Sequence, residues 1–275
     1  MNLNIKMIAL DMDGTLLTSD KTITPRSQSV LEAAHRQGIE VVICTGRVVQ
    51  GIRSYLPMLP FVRYVITSNG ASVYDLSENK NIYENFISTE KALRVLNTYR
   101  TSGGLLEVYS HNVSYMDMED YRDLPGRYGV SQRMNSYLRE KNEPVESLVE
   151  LIRSHYSGVE KFNLSYFPVA AYAQIWNRLN LLGGLQLTYS DAKNIEVNVH
   201  GCDKGVALAA LARHIGCSMD EVMCFGDSHN DRGMLLAAGH PVAMGNAEDS
   251  IKALTNTIIE SNDREGIADY LETLL

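Results

Sequence analysis

Asp11 and Asp13 stand one residue apart at the end of the apolar run Met7-Ile8-Ala9-Leu10, and Gly14 and Thr15 follow. Four consecutive apolar residues read as a strand buried on both faces. Such a strand delivers the two acids to the rim of a sheet, where open α/β folds bind their ligands. Carboxylates this close repel unless a cation lies between them, and an oxygen-only donor set points to Mg²⁺. A carboxylate can also attack phosphorus, provided cations neutralise both it and the phosphoryl group.

Three further apolar runs end in polar residues of the same kind. Ile39 to Cys44 leads into Thr45-Gly46-Arg47, Tyr64 to Thr67 into Ser68-Asn69-Gly70, and Val222 to Phe225 into Gly226-Asp227-Ser228-His229-Asn230-Asp231. Helical segments alternate with them. Thr24 reads as an N-cap before Pro25, and Gly38 as the stop. A second helix is expected over Val48 to Leu56, and a third runs from Lys204 to Ile215 with Gly216 ending it. Further β-α pieces are expected through Pro241–Ala243 and Thr257–Ile259. The alternation predicts a Rossmann-like, doubly wound parallel sheet with right-handed crossovers. One rim of that sheet would gather Asp11, Asp13, Thr45, Gly46, Asn69, Asp227, Asn230 and Asp231. Lys204 supplies the cation. At a helix start its charge opposes the macrodipole, and a bound anion there would compensate.

The texture changes between Phe86 and Ser190, where ten of the fifteen tyrosines lie. Helices are expected over Ser88–Arg100, Pro144–His155 and Val169–Leu182. Strands are expected at Leu105–Tyr109 and Val113–Asp117 around His111-Asn112, and at Phe162–Phe167 and Leu185–Tyr189. Arg122 to Arg127 reads as a loop. The reading is an α/β core, 1–85 and 191–275, with an inserted α+β cap at 86–190.

Asp11-Met12-Asp13-Gly14-Thr15-Leu16 resembles the first motif of the haloacid dehalogenase superfamily of phosphotransferases. Thr45-Gly46-Arg47 resembles the second, as written in the Cof-like branch with a large α/β cap. Lys204-Gly205 resembles the third, and Gly226-Asp227-x-x-Asn230-Asp231 the fourth. The four occur in order, with the insertion between the second and third. The resemblance implies a role for each residue. Asp11 is the nucleophile and a Mg²⁺ ligand. Asp13 protonates the leaving oxygen, then activates water, and ligates Mg²⁺ through its carbonyl. Thr45, Gly46 and Lys204 bind the transferring phosphate, and Asn230 contacts phosphate or substrate. Asp227 completes the metal ligands, and Asp231 orients Lys204 or metal-bound water. Cys202-Asp203 departs from the smaller pair usual before the lysine, although Asp203 can still cap the helix. The resemblance implies a Mg²⁺-dependent phosphatase of a small phosphorylated metabolite such as a sugar phosphate. The alternatives are a phosphomutase of the same fold and a phospho-ligand-binding regulator. A cap closing over the rim would exclude water and select the substrate.

Composition narrows the classes. The 275 residues carry a formal charge of −8, with 45% hydrophobic and 21% charged residues. That balance suits a globular protein and argues against nucleic acid as a partner. No run approaches the length needed to cross a membrane, and no leader is visible. Cys44, Cys202, Cys217 and Cys224 read as buried reduced thiols, so a cytoplasmic location is expected. The seven histidines lack zinc-ligand spacing. A monomer or weak homodimer is expected.

Overall fold

The computed structural model describes residues 4–189 and 194–275. The boundary expected at 190/191 lies outside the described residues. In chain order the elements begin with β1 (Met7–Leu10), α1 (Pro25–Arg36), β2 (Glu40–Cys44), β3 (Tyr64–Thr67), β4 (Ser72–Asp75) and β5 (Lys80–Glu84). Then come α2 (Thr89–Tyr99), β6 (Leu105–Ser110), β7 (Val113–Asp117), α3 (Met118–Arg122), α4 (Leu124–Tyr128), α5 (Gln132–Lys141) and β8 (Asn142–Val145). They continue with α6 (Leu148–Ser154), β9 (Lys161–Ser165), α7 (Tyr172–Asn180), β10 (Leu185–Thr188) and β11 (Ile195–Val199). The last are α8 (Lys204–Ile215), β12 (Val222–Gly226), α9 (Arg232–Ala237), β13 (His240–Ala243), α10 (Asp249–Lys252) and α11 (Gly266–Glu272). None of these helices is long and apolar enough to cross a membrane.

The chain divides into two compact units. The first comprises Met1–Arg47, Ile52–Glu84 and Asp203–Leu275. Its sheet runs β13-β12-β1-β2-β3-β4-β5. The five strands from β13 to β3 are parallel, and β4 and β5 extend the sheet as an antiparallel hairpin. β1 lies between β12 and β2, and all four of its residues are buried, as its apolar run requires. Thr24 caps α1 by accepting from Ser27 N, with Pro25 in the first turn. Val30, Leu31 and Ala34 of α1 are buried.

The second unit comprises Val48–Gly51 and Asn85–Cys202. Its mostly antiparallel sheet runs β10-β11-β9-β6-β7-β8. Leu106, Val108, Phe162 and Leu164 form a core with Leu96 of α2, Ile152 of α6 and Leu179 of α7. A smaller cluster joins Leu105 and Met116 to Leu124, Val130 and Leu138.

Four expected elements differ. Val48 to Leu56 forms two short 3-10 turns, Gln50–Ile52 and Leu56–Met58, instead of a helix. Gly51 weakens a helix here, and Pro57 breaks its pattern. Arg122 to Arg127 is no loop. α3 ends and α4 begins there, with Asp123 accepting from Gly126 N and Pro125 in the first turn. Pro144 and Val145 belong to β8, and the helix after them starts at Leu148 under the Ser147 cap. Thr257–Ile259 contributes an isolated bridge between Ala243 and Ile258.

Candidate active site

β1 ends at Leu10, and the backbone N–H of Asp11 still donates to Phe225 O of β12, 3.1 Å away. The acid therefore starts where the ladder stops. Lys204 is the first residue of α8, whose N-cap Asp203 accepts from Val206 N at 2.8 Å. At Gly205 a Cβ would sit 2.3 Å from Gly233 O, so α8 and α9 meet backbone to backbone just behind Lys204. The Lys204 ammonium is wholly buried, 2.5 Å from Asp11 Oδ1 and 2.6 Å from Asp231 Oδ1.

Asp231 uses both oxygens. Oδ1 takes Lys204, and Oδ2 accepts the backbone N–H groups of Asp227 and Ser228 at 2.9 and 3.0 Å. Asp227 follows β12, and its Oδ1 accepts from the Thr15 hydroxyl at 2.7 Å. Carboxylate oxygens of Asp11, Asp227 and Asp231 lie within 4.8 Å of one another. Burial and then the Asp231 charge push Asp11 well above the usual carboxylate range, against the pull of Lys204. The same two causes raise Asp227 to about 7. Burial opposes the charge of Lys204, but Asp11 and Asp231 outweigh it and hold the ammonium above its ordinary value.

This electrostatic state tests whether a cation fits. One ammonium faces three carboxylates, and two of those acids are held toward their protonated forms. Asp231 already accepts three donors, which makes Asp11 and Asp227 the acids better suited to a hard divalent ion. All donors are oxygen, and the set fits Mg²⁺.

Asp13 is turned elsewhere. Its Oδ2 accepts from Arg47 Nε at 2.8 Å, and its Oδ1 from Arg47 Nη2 and Lys21 Nζ, both at 2.7 Å. Burial works against its charge. The Arg47 fork and then Lys21 outweigh burial and hold Asp13 well below the usual carboxylate range. The sequence reading left Arg47 without a role and passed over Lys21, which sits at φ +60° in the turn after Thr18.

The remaining expected residues meet through the loops. Thr45 is buried and its hydroxyl accepts from Arg47 N at 3.1 Å. Gly46 lies between them in the same turn. Asn69 N donates to Thr45 O, and Asn230 Nδ2 donates to Asn69 Oδ1 at 3.2 Å. Ser68, Asn69 and Gly70 all have positive φ, so β3 ends in a tight left-handed turn. Asn69 is thus both a turn residue and a neighbour of Asn230. Lys21 escaped the sequence reading, and Thr15, quoted in the first motif, was given no role there. Thr15 carried a usable signal, since it follows the acid pair directly.

Gly14 sits at φ +86°, and a Cβ there would fall 2.4 Å from Asp227 Oδ2. Gly14→Ala will therefore displace Asp227 and strain the turn, at a cost of about 1–3 kcal/mol. Urea unfolding measures the loss, and an unchanged midpoint with unchanged slope would remove the claim of crowding.

The family profile described as haloacid dehalogenase-like hydrolase matches residues 8–271. Phosphatase YwpJ of Bacillus subtilis (strain 168) is 29% identical, over 98% of this chain and 100% of its own. Pyridoxal phosphate phosphatase YbhA of Escherichia coli (strain K12) is 30% identical, over 97% of each chain. A solved haloacid dehalogenase-like hydrolase from B. subtilis superposes with a TM-score of 0.84 at 28% identity, over 98% of this chain and 100% of that one.

Proposed function

This chain belongs to the haloacid dehalogenase-like hydrolases, and on that premise we propose that it is a Mg²⁺-dependent phosphatase of small phosphorylated metabolites, working through a phosphoryl group carried on Asp11. The observation that carries the reading is the buried Lys204 ammonium joined at once to Asp11 and Asp231, beside Asp227. A nucleophilic carboxylate needs such neutralisation to meet a phosphate dianion. The relatives named as phosphatases support the same class.

Asp11 and Asp227, with the Asp13 carbonyl, are the groups assigned to Mg²⁺, which supplies charge neutralisation and Lewis acidity when bound. An Asp11 carboxylate oxygen attacks phosphorus, the bond to the leaving oxygen breaks, and Asp13 gives that oxygen a proton. Water then attacks the Asp11-bound phosphorus. Asp13 takes a proton from it, and phosphate leaves with Asp11 restored. Lys204, Thr45 and the Gly46 amide bind the phosphoryl oxygens, and Asn230 contacts the phosphate or the group beyond it. With Arg47 and Lys21 on its carboxylate, Asp13 is ready as a base. To act first as an acid it must part from them and take up a proton.

Selection of the organic part is assigned to the second unit. Its sheet buries a polar grid in which Lys161 pairs with Glu196 at 3.0 Å, while Lys141 and Asn163 both reach Glu107. Thr188, in register with Glu196, has a buried hydroxyl without a partner among the described residues.

Phosphate release from a panel of phosphomonoesters, including sugar phosphates and pyridoxal phosphate, tests the reading with and without Mg²⁺. Turnover that needs Mg²⁺ is expected. Tight binding of a phosphorylated compound with no hydrolysis would replace the enzyme by a regulator. The ion should also be visible in stability. Asp227, raised in the fold, binds a proton there at pH values where the unfolded chain has released it. Without metal, stability is therefore lost as pH rises from about 4 through about 7. Mg²⁺ should raise Tm more at about pH 8 than at about pH 5, where the proton competes. A Tm shift that is equal at both would count against Asp227 as a ligand.

A further inference from the structure

The β6–β7 hairpin of the second unit turns at His111 and Asn112, whose φ values are +51° and +64°. Both central residues of such a two-residue turn are left-handed, a conformation Asn accepts more readily than His. The tip is fastened by one hydroxyl. Ser110 Oγ lies 2.7 Å from His155 Nδ1, 3.2 Å from His111 Nδ1 and 3.2 Å from Gly158 O. The two imidazole rings meet edge to face with centroids 4.1 Å apart. His155 follows α6 and is partly buried, and burial and then His111 hold its pKa below the ordinary value.

The hydroxyl has one hydrogen and three neighbours. If it donates to Gly158 O, both rings must donate to it from Nδ1. If it donates to one ring, that ring is neutral with its proton on Nε2. The closed arrangement is thus satisfied by neutral rings. A first added proton can be absorbed by turning the hydroxyl. Two imidazolium rings at this separation repel, and the contact opens.

The tip in turn holds the segment Val48–Gly51, which begins directly after Arg47 and is counted with this unit. Gln50 N donates to Asn112 O at 3.1 Å, Ser114 N donates to Gln50 Oε1 at 3.3 Å, and Gln50 Nε2 donates to Glu143 Oε1 at 3.1 Å. Other titratable groups face the pair. The Tyr115 ring of β7 meets His155 edge-on, with centroids 6.1 Å apart. Glu143 of β8 is in register with Tyr115, and Glu160 beside β9 accepts from Asn112 N at 2.7 Å. From α2 the contact is the Thr89 hydroxyl on His155 O. None of these groups lies between the two rings to remove the repulsion of two charged imidazoliums.

We infer that His111, His155 and Ser110 form an acid-sensitive clasp for the segment Val48–Gly51. With neutral rings the hairpin tip presents Asn112 O and Ser114 N to Gln50. With both rings charged the tip relaxes and Gln50 is released. The clasp holds whether or not the reaction proposed above is correct.

Hydrogen exchange of the full-length protein, corrected for intrinsic rates, tests it at about pH 7.5 and about pH 5. Protection of the Gln50 and Ser114 amides should fall about tenfold or more at the lower pH in wild type. In His111→Asn, which suits the left-handed turn, the fall should shrink to about threefold or less, and likewise in His155→Gln. An equal fall in both variants would overturn the clasp, because the carboxylates would then carry the effect. Unchanged wild-type protection would overturn it too. The Val159 amide, bonded to Ile87 O at 2.9 Å, serves as the internal reference. A parallel fall there means general unfolding and also overturns it.

Discussion

Asp11→Asn will lower turnover by about 10³-fold or more, an increase of about 4 kcal/mol in the barrier, and will leave the protein as stable as wild type or more stable. On the proposed role the amide cannot attack phosphorus. The stability half of the expectation follows from electrostatics. The folded state pushes Asp11 well above its ordinary pKa through burial and the Asp231 charge. Its ionised form is therefore a cost to folding at neutral pH, and asparagine removes the charge while Lys204 keeps Asp231. Steady-state kinetics on the best substrate, with thermal unfolding of the metal-free protein, measures both halves. Turnover that survives would withdraw Asp11 as the nucleophile. A large drop in Tm would show that its charge supports the fold instead.

Lys204→Met moves both quantities the same way. The methionine roughly fills the space, but Asp11 and Asp231 are left facing each other in a buried site. Removing one partner of a buried ionic cluster costs about 3–5 kcal/mol. Stability should fall by that order at neutral pH. The loss should shrink on acidification, as Asp11, already held toward its protonated form, takes up a proton. Turnover should fall with it, since the phosphoryl group loses its lysine. Urea unfolding at several pH values gives the first result. A loss independent of pH would point to packing and away from stranded charge. Together the two substitutions separate chemistry from charge balance, since one spares the fold and the other does not.

The core sheet was legible because its parallel strands are short apolar runs that stop abruptly at polar residues. Asp11, Thr45, Asn69 and Asp227 each follow such a stop, so chain order alone brought them to a common rim. Lys204 was legible from its place at a helix start after a capping Asp. The fastening of Asp13 was not. Its partners are Arg47, whose fork could have served phosphate equally well, and Lys21 in a turn without periodicity. Long side chains choose among nearby carboxylates by geometry that spacing does not encode. The β4–β5 hairpin was missed for a different reason. β5 is Lys-Asn-Ile-Tyr-Glu with no buried residue, and an edge strand without an apolar face leaves little pattern. Pro125-Gly126 read as a loop because both residues break helices in their interiors, yet in the first turn of α4 they carry little penalty.

The contact of α8 with α9 at Gly205 and Gly233 has a consequence for the thermodynamics of each turnover. A free lysine side chain carries about 1.5–2 kcal/mol of rotamer entropy. Here the helix that bears Lys204 is fixed at the backbone, and its ammonium is tied to two carboxylates before any ligand arrives. That freedom is surrendered once, when the chain folds, and is not surrendered again at each encounter with a phosphate. Calorimetry of inorganic phosphate binding should accordingly lack the entropic penalty of ordering this side chain.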